Sequence, residues 1–216
     1  MNKISIVSAV YNAEECLEEL VKKIKLYTSK YTKSFEIILV NDCSEDNSWK
    51  KLLDLKKNNK FLKIYNLKKN SGQHFAFRYG ASKASGDKIF FLDCDLQHHP
   101  KFITKFLLNY KDDNTFIVGK PSFNSVIQKG LISNIFWLVL SILKFNNQLF
   151  ISNYILASKK IIKKLCKKKK INYLYLDLCS LNFDHIFIKI IIFKRPYGKS
   201  SYTIKKLFKF AFSLLK

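Results

Sequence analysis

The feature that most constrains this chain is an alternation running through its first ninety residues. Short apolar runs, each long enough for one strand, alternate with segments whose apolar residues recur at helical spacing. Ile4–Val10, Phe35–Val40, Leu62–Leu67 and Ile89–Leu92 are the runs. Between the first two, Cys16, Leu17, Leu20, Val21 and Ile24 mark one face of a helix; Trp49–Lys56 and Phe75–Ser85 read as two more. Strand–helix repeats of this kind give parallel strands joined by right-handed crossovers. The predicted fold class is therefore α/β, a Rossmann-like, mostly parallel sheet flanked by helices. A chain of 216 residues has room for one such domain with a substantial core.

The strands end in polar residues. Tyr11 follows the first and Asn12 is expected to cap the next helix, with Glu14 and Glu15 in its first turn. Asn41-Asp42-Cys43-Ser44-Glu45-Asp46 follows the second, and Asp93-Cys94-Asp95 follows the fourth. In open α/β sheets such strand ends converge on one edge, where ligands bind. Two carboxylates at i and i+2 in extended chain point the same way. Burying them together is costly without positive charge between them. Hard cations such as Mg²⁺ or Mn²⁺ supply it and keep coordination positions for substrate phosphates. A plain alternative is a strand-to-turn corner in which Asp95 starts a turn and Pro100 opens a helix. A dinucleotide fingerprint needs glycines after the first strand, and the chain has none before Gly72; there is no Walker lysine loop either.

The formal net charge of +23 calls for a polyanionic neighbour: nucleic acid, an acidic membrane surface or phosphorylated substrates. A nucleic-acid binder would account for the charge and leave the carboxylate-rich strand ends without a purpose. The five cysteines are scattered without zinc spacing, as expected of reduced thiols in a cytosolic protein. Met1-Asn2-Lys3 leads straight into a strand-like run, without a secretory apolar segment.

Four blocks carry a family resemblance: V-Y-N-A-E-E-x-L, V-N-D-C-S-E-D-N-S, N-S-G-Q-H-x-A and S-G-D-x-I-x-x-L-D-C-D-L-Q-H-H-P. In this order and spacing they resemble family 2 glycosyltransferases of GT-A fold. The subgroup they look like transfers a sugar to a polyprenyl phosphate, as dolichol-phosphate mannose synthases and undecaprenyl-phosphate sugar transferases do. The resemblance implies that Val10, Tyr11 and Glu14 line the nucleotide's base and ribose. It implies that Asp42 accepts hydrogen bonds there, with Asp46 either shaping the site or forming an ordinary Asx turn. Gly72 and Gln73 would let the backbone approach the nucleotide, and Asp93, Asp95 and Gln97 would hold the cation and the diphosphate. His98 and His99 are expected at the surface or behind the metal ligands.

Beyond Lys101 a helix over Phe102–Tyr110 and a strand over Thr115–Gly119 are expected. Lys120 stands where many relatives place an arginine for the phosphates. Lys129 and Ser133 best match the segment that meets an acceptor phosphate. The apolar stretch from Gly130 to Phe145 is interrupted at Ser133 and Asn134 and reads as an interfacial or core helix. Asn153–Ser158 replaces a G-F-R-like tract, with Ile155 at the arginine position. Asp177 and Asp184 are equal candidates for the site. After a last strand, Phe187–Phe193, the segment Lys194–Tyr202 resembles R-x-x-G-x-S-x-Y, which assigns Arg195, Lys199 and Ser200 to the diphosphate, Arg195 in a catalytic role with Asp95. Residues 205–216 mix lysine and apolar side chains as membrane-surface helices do.

The resulting expectation is a GT-A domain over 1–204 with a basic amphipathic tail over 205–216. It would be an inverting, Mg²⁺- or Mn²⁺-dependent enzyme moving a sugar from a nucleotide-sugar donor to a polyprenyl phosphate. It would act on the cytoplasmic side, peripheral on an anionic membrane surface, with no nucleic acid partner. Transfer to a saccharide hydroxyl and a non-catalytic relative are the alternatives.

Overall fold

The computed structural model describes residues 3–122, 152–168 and 173–197. Its elements run in the order β1 (Ile4–Val10), α1 (Leu17–Ser29), β2 (Phe35–Asn41), α2 (Ser48–Lys57), β3 (Leu62–Asn66), α3 (Gln73–Ser82), β4 (Lys88–Phe91), α4 (Phe102–Leu108), β5 (Thr115–Pro121), β6 (Ile155–Ser158), α5 (Lys159–Cys166), α6 (Leu174–Cys179) and β7 (Asp184–Ile190). Among the described residues the strands form one sheet ordered β3-β2-β1-β4-β6-β5-β7. β3, β2, β1 and β4 pair in parallel, β6 runs antiparallel to both its neighbours, and β7 pairs parallel with β5. The carboxyl ends of six strands and the start of β6 therefore share one edge.

Side-chain alternation splits the core into two layers. Ile4, Ile6 and Val10 of β1 face α1, α2 and α4, while Val7 and Ala9 face α3, α5 and α6. Phe90 is fully buried, edge-on to Phe106 and Tyr154, so Phe90→Ala would cost about 3–5 kcal/mol. Helix α3 lies close against the sheet because Gly80 lets it: a Cβ there would meet Val7 Cγ1 at 2.5 Å and Val40 Cγ2 at 3.0 Å. At the opposite edge from the strand ends, Glu36 sits beneath the surface. It takes hydrogen bonds from Ser5 Oγ at 2.6 Å and Ser85 N at 2.7 Å, and an ion pair from Lys63 at 2.7 Å.

The mostly parallel, helix-flanked sheet is the predicted one, with three local differences. Asn12 does not cap α1, which starts at Leu17. Asn12 instead has φ 48° and its side chain accepts from Glu45 N at 2.9 Å, tying the β1 loop to the β2 loop. The last strand is Asp184–Ile190 rather than Phe187–Phe193, because β7 pairs with β5 along its whole length from Thr115 opposite Asp184. As an edge strand it exposes Ile186 and Phe187, so its apolar run does not mark its bounds. Elements β6, α5 and α6 fall in a stretch to which sequence reasoning assigned none. The helix expected over 130–145 and the tail 205–216 lie outside the described residues. Among the described residues no helix is long and apolar enough to cross a membrane.

Candidate active site

The site is built on the shared strand edge. Asp42, at the end of β2, is 3% exposed, and both its oxygens are engaged: Oδ1 accepts from Ser71 N at 2.7 Å and Oδ2 from Gly72 N at 2.8 Å. The loop it holds turns at Gly72, where φ is 89°, a conformation that favours glycine. This anchors the start of α3 and aims its first residue, Gln73, along the edge. Gln73 Nε2 donates to Asp93 Oδ1. So Asp42 reaches the D-C-D segment through one short loop. On the outer side, Glu14 Oε2 accepts from Asn47 N at 2.8 Å, and Asp46 accepts from Glu14 N at 3.2 Å and Ser48 N at 2.9 Å. Asp46 is thus an Asx turn that also joins the β1 and β2 loops.

Asp93 and Asp95 stand just past β4. Leu96, at φ 61°, turns the chain sharply after them, and Gln97 N donates back to Asp95 Oδ1 at 3.0 Å. The Cys16 thiol at the start of α1 donates to Cys94 O at 3.2 Å, pinning the turn from behind. The two carboxylates have different surroundings. Asp93 Oδ1 receives Gln73 and, at 3.2 Å, Asn153 Nδ2; Oδ2 lies 3.0 Å from His98 Nδ1, bent away from good hydrogen-bond alignment. Burial pushes the Asp93 carboxyl up, but His98, the Asn153 amide and the His74 imidazole outweigh it and hold it below the usual range. Asp95 Oδ2 pairs with Arg195 Nη2 at 2.7 Å. Burial and the neighbouring Asp93 charge nevertheless push Asp95 up.

These residues fit a hard divalent cation. Asp95 is a half-buried carboxylate under like-charge repulsion from Asp93, and a guanidinium already stands against it. Among the described residues no group of three His, Cys, Asp or Glu surrounds one point. A cation would therefore be held by Asp95, with Asp93 beside it, and by oxygens of a bound diphosphate. That is how Mg²⁺-type ions are usually held.

The remaining predicted residues are placed as follows. Gln97 turns its amide toward Phe193 O at 3.5 Å and is not brought onto the carboxylates. Val10 is fully buried in the core, so only its backbone faces the loops, where Val10 O accepts from Asp42 N at 2.8 Å. Tyr11 is half-buried at the same edge. Lys120 is exposed with its ammonium over the Phe187 ring, on the β7 side of the sheet. Asp184 is exposed at the start of β7, whereas Asp177 is buried, paired with Lys168 at 2.7 Å and accepting from Tyr173 N at 3.2 Å. Lys129, Ser133, Lys199 and Ser200 lie outside the described residues.

His98 is 7% exposed and stands behind Asp93, one of the two places expected for it. Sequence reasoning missed one member. Asn153, noted only as part of an altered tract, reaches Asp93 across 60 positions of chain. Near them, His74 accepts from Leu174 N at 3.4 Å, and burial pulls its imidazole down to about 4, so it is neutral at pH 7.

The strand order, the single antiparallel strand and carboxylates at the sheet's edge define a GT-A-type α/β domain. The family model for glycosyl transferase family 2 matches residues 5–150, more than half of the chain, and the chain belongs to that family. Among solved structures it is similar to mannosyl-3-phosphoglycerate synthase from Rubrobacter xylanophilus, at 10% identity and TM-score 0.66, covering 99% of this chain and 72% of that one. It is also similar to the mannosyltransferase PcManGT from Pyrobaculum calidifontis in complex with GDP-Man and Mn²⁺, at 13% identity and TM-score 0.64, covering 91% and 59%. A third is S. aureus TarS 1-349 in complex with UDP-GlcNAc, at 18% identity and TM-score 0.55, covering 89% and 60%. The chain thus spans about 60% of the length of the last two.

Proposed function

We propose that this chain is a divalent-cation-dependent, inverting glycosyltransferase that moves a sugar from a nucleotide-sugar donor to a polyprenyl phosphate at an anionic, cytoplasmic membrane face. The observation that carries the reading is the pairing of Asp95 with Arg195 beside an Asp93 whose Oδ1 is held by two side-chain amides. It gathers one committed carboxylate, one carboxylate needing positive charge, and a guanidinium on the edge that Asp42 also organises. The similar structure that holds Mn²⁺ with GDP-Man supports the donor class and the metal.

When bound, Mg²⁺ or Mn²⁺ neutralises charge on the departing diphosphate. Arg195, 2.7 Å from Asp95, would do the same as the sugar–phosphate bond lengthens, its guanidinium suited to phosphate oxygens. Asp95 orients that guanidinium. Asp42 holds the Ser71–Gly72 loop and so keeps Gln73 on Asp93. The acceptor oxygen attacks the anomeric carbon in line, the bond to the diphosphate breaks, and the configuration inverts.

A hydroxyl acceptor would need a general base. Asp93 is held by Gln73, Asn153 and His98, Asp95 by Arg195, and Asp177 by Lys168. A phosphate acceptor is already an anion and needs none, which favours it over a saccharide hydroxyl. The charge of +23 suits an anionic leaflet, where each exposed lysine near the surface contributes on the order of 1 kcal/mol. The test is a transfer screen with radiolabelled UDP- and GDP-sugars, Mn²⁺ or Mg²⁺, and undecaprenyl phosphate. Label extracted with the lipid supports the proposal; label appearing only on added saccharides refutes the acceptor.

A further inference from the structure

The lysines of the two helical layers have different company. On α1 and α2 they stand among acids: Lys23 pairs with Glu19 and Lys51 with Glu18, each at 2.6 Å, and Lys57 pairs with Asp54 at 2.7 Å. In the opposite layer, α5 and the two residues after it read Lys-Lys-Ile-Ile-Lys-Lys-Leu-Cys-Lys-Lys, without an acid. Ile161, Ile162 and Leu165 are buried against the sheet, so the lysines turn outward. Lys160, Lys163, Lys164 and Lys167 are exposed. Among the described residues no carboxylate pairs with any of these four. Lys160 donates to Asn114 Oδ1 at 2.7 Å, and Lys164 lies over the Phe183 ring. Lys168 has an acid, Asp177, at 2.7 Å. Asp113, whose carbonyl meets Ser158 at the amino end of α5, has its carboxylate on Tyr110; Asp112 takes Asn114 N and Thr115. The four exposed lysines are spaced three and four apart, where like charges repel. Helix α3 continues the patch. Lys83 is exposed just past its end, and Phe75 is 39% exposed in its first turn. Arg78 lies 5.7 Å from the Phe75 ring and donates to Lys168 O at 2.7 Å.

Resting on the membrane reading above, we infer that the outer face of α3 and α5 is the surface by which this protein docks on an anionic leaflet. A leaflet presents diffuse negative charge, and each lysine held near it adds its own attraction. Lysine, a compact point charge on a flexible stem, suits that role. Phosphate and base recognition in nucleic acids favours the guanidinium fork, and α3, α5 and α6 hold one arginine, Arg78, already bonded to Lys168 O. Phe75 gives the same face an apolar tip, as membrane-surface helices have. The placement also suits the chemistry. This layer covers one side of the sheet, whereas Asp93 and Asp95 stand at its edge, so docking leaves the site open. The chain beyond α5 comes back to that edge, where Leu174 N meets His74 Nδ1 at 3.4 Å, next to the Gln73 that holds Asp93. A lipid phosphate in the leaflet is then beside the site.

The experiment is sedimentation of the full chain with vesicles of phosphatidylcholine and phosphatidylglycerol, seven parts to three, at about 0.1 M salt. Wild type is compared with the triple variant Lys163→Gln, Lys164→Gln, Lys167→Gln and with a control on the other layer, Lys22→Gln, Lys50→Gln, Lys56→Gln. All six lysines are exposed, and both variants lose the same charge. Circular dichroism checks that both are folded. The α5 variant should bind about a hundredfold more weakly, a factor of about five for each lysine, and the control nearly as wild type does. Equal losses in the two variants would make net charge the cause and overturn the inference. So would an α5 variant that binds like wild type; the membrane reading would then stand and only this surface would fall. A wild type that ignores these vesicles overturns the membrane reading and this inference with it. A short DNA duplex that binds wild type more tightly than the vesicles do, and loses that binding in the α5 variant, would give the face to nucleic acid instead.

Discussion

Replacing Glu36 by glutamine should weaken the fold without touching the site, by an amount that depends on pH in a set direction. The Glu36 side chain is 3% exposed at the edge of the sheet remote from Asp93. Burial alone would raise its carboxyl, but Lys63, Ser5 and Ser85 together pull it from 4.5 to about 2. The difference between unfolded and folded values is then about 2.5 pH units, worth about 3 kcal/mol above pH 4.5. Lys63 and Lys3 are 41% and 38% exposed, so solvent and salt screen part of this, and about 2 kcal/mol is the better expectation. A carboxyl lowered on folding stabilises fully above its unfolded value and loses that contribution as pH falls through its folded one. The gap between wild type and Glu36→Gln should therefore be widest at pH 6–7 and close from about pH 4.5 toward 2. Urea denaturation followed by circular dichroism at pH 7, 4 and 3 measures it. A gap that stays constant from pH 7 to 3, or one under about 0.5 kcal/mol at pH 7, would refute the charge-based account.

Asp95→Asn should abolish Mn²⁺-dependent binding of a nucleotide sugar while leaving the melting temperature nearly unchanged; undiminished binding by calorimetry would remove the metal role. Arg195→Ala should cut turnover by about 10²–10³, as loss of one transition-state donor does, with little change in stability; parallel losses in both would make the Asp95 pair structural. His74 is pulled down to about 4 from 6.5, so the unfolded chain takes up its proton first and stability falls as pH drops from 6.5 to 4. His74→Gln should flatten that part of the profile by on the order of 2 kcal/mol in urea denaturation; an unchanged slope would place the acid sensitivity elsewhere.

The half of the fold that was legible in the sequence is the half made of strands buried on both faces. β1, β2 and β4 read as mainly apolar runs because helices cover both sides of them, with Ser5, Ser8 and Glu36 as buried polar exceptions. The edge strand β7 is half exposed, and there an apolar run and a hydrogen-bonded run need not coincide. β6 was invisible for another reason: four residues, Ile155–Ser158, become a strand only because β4 and β5 stand on either side. The same distinction governs the site. The spacing of Asp93 and Asp95 announces a pair of carboxylates but cannot tell them apart. What separates them comes largely from distant chain: the local His98, with Asn153 and His74, holds one low, while Arg195, a hundred residues on, meets the other. An Asp93 held low, with two amides on one oxygen and His98 beside the other, is suited to organising neutral groups around it. An Asp95 short of positive charge is suited to collecting cations and, through them, phosphates. Two identical side chains at i and i+2 thus have different surroundings, and the difference is set by tertiary partners that no local motif contains.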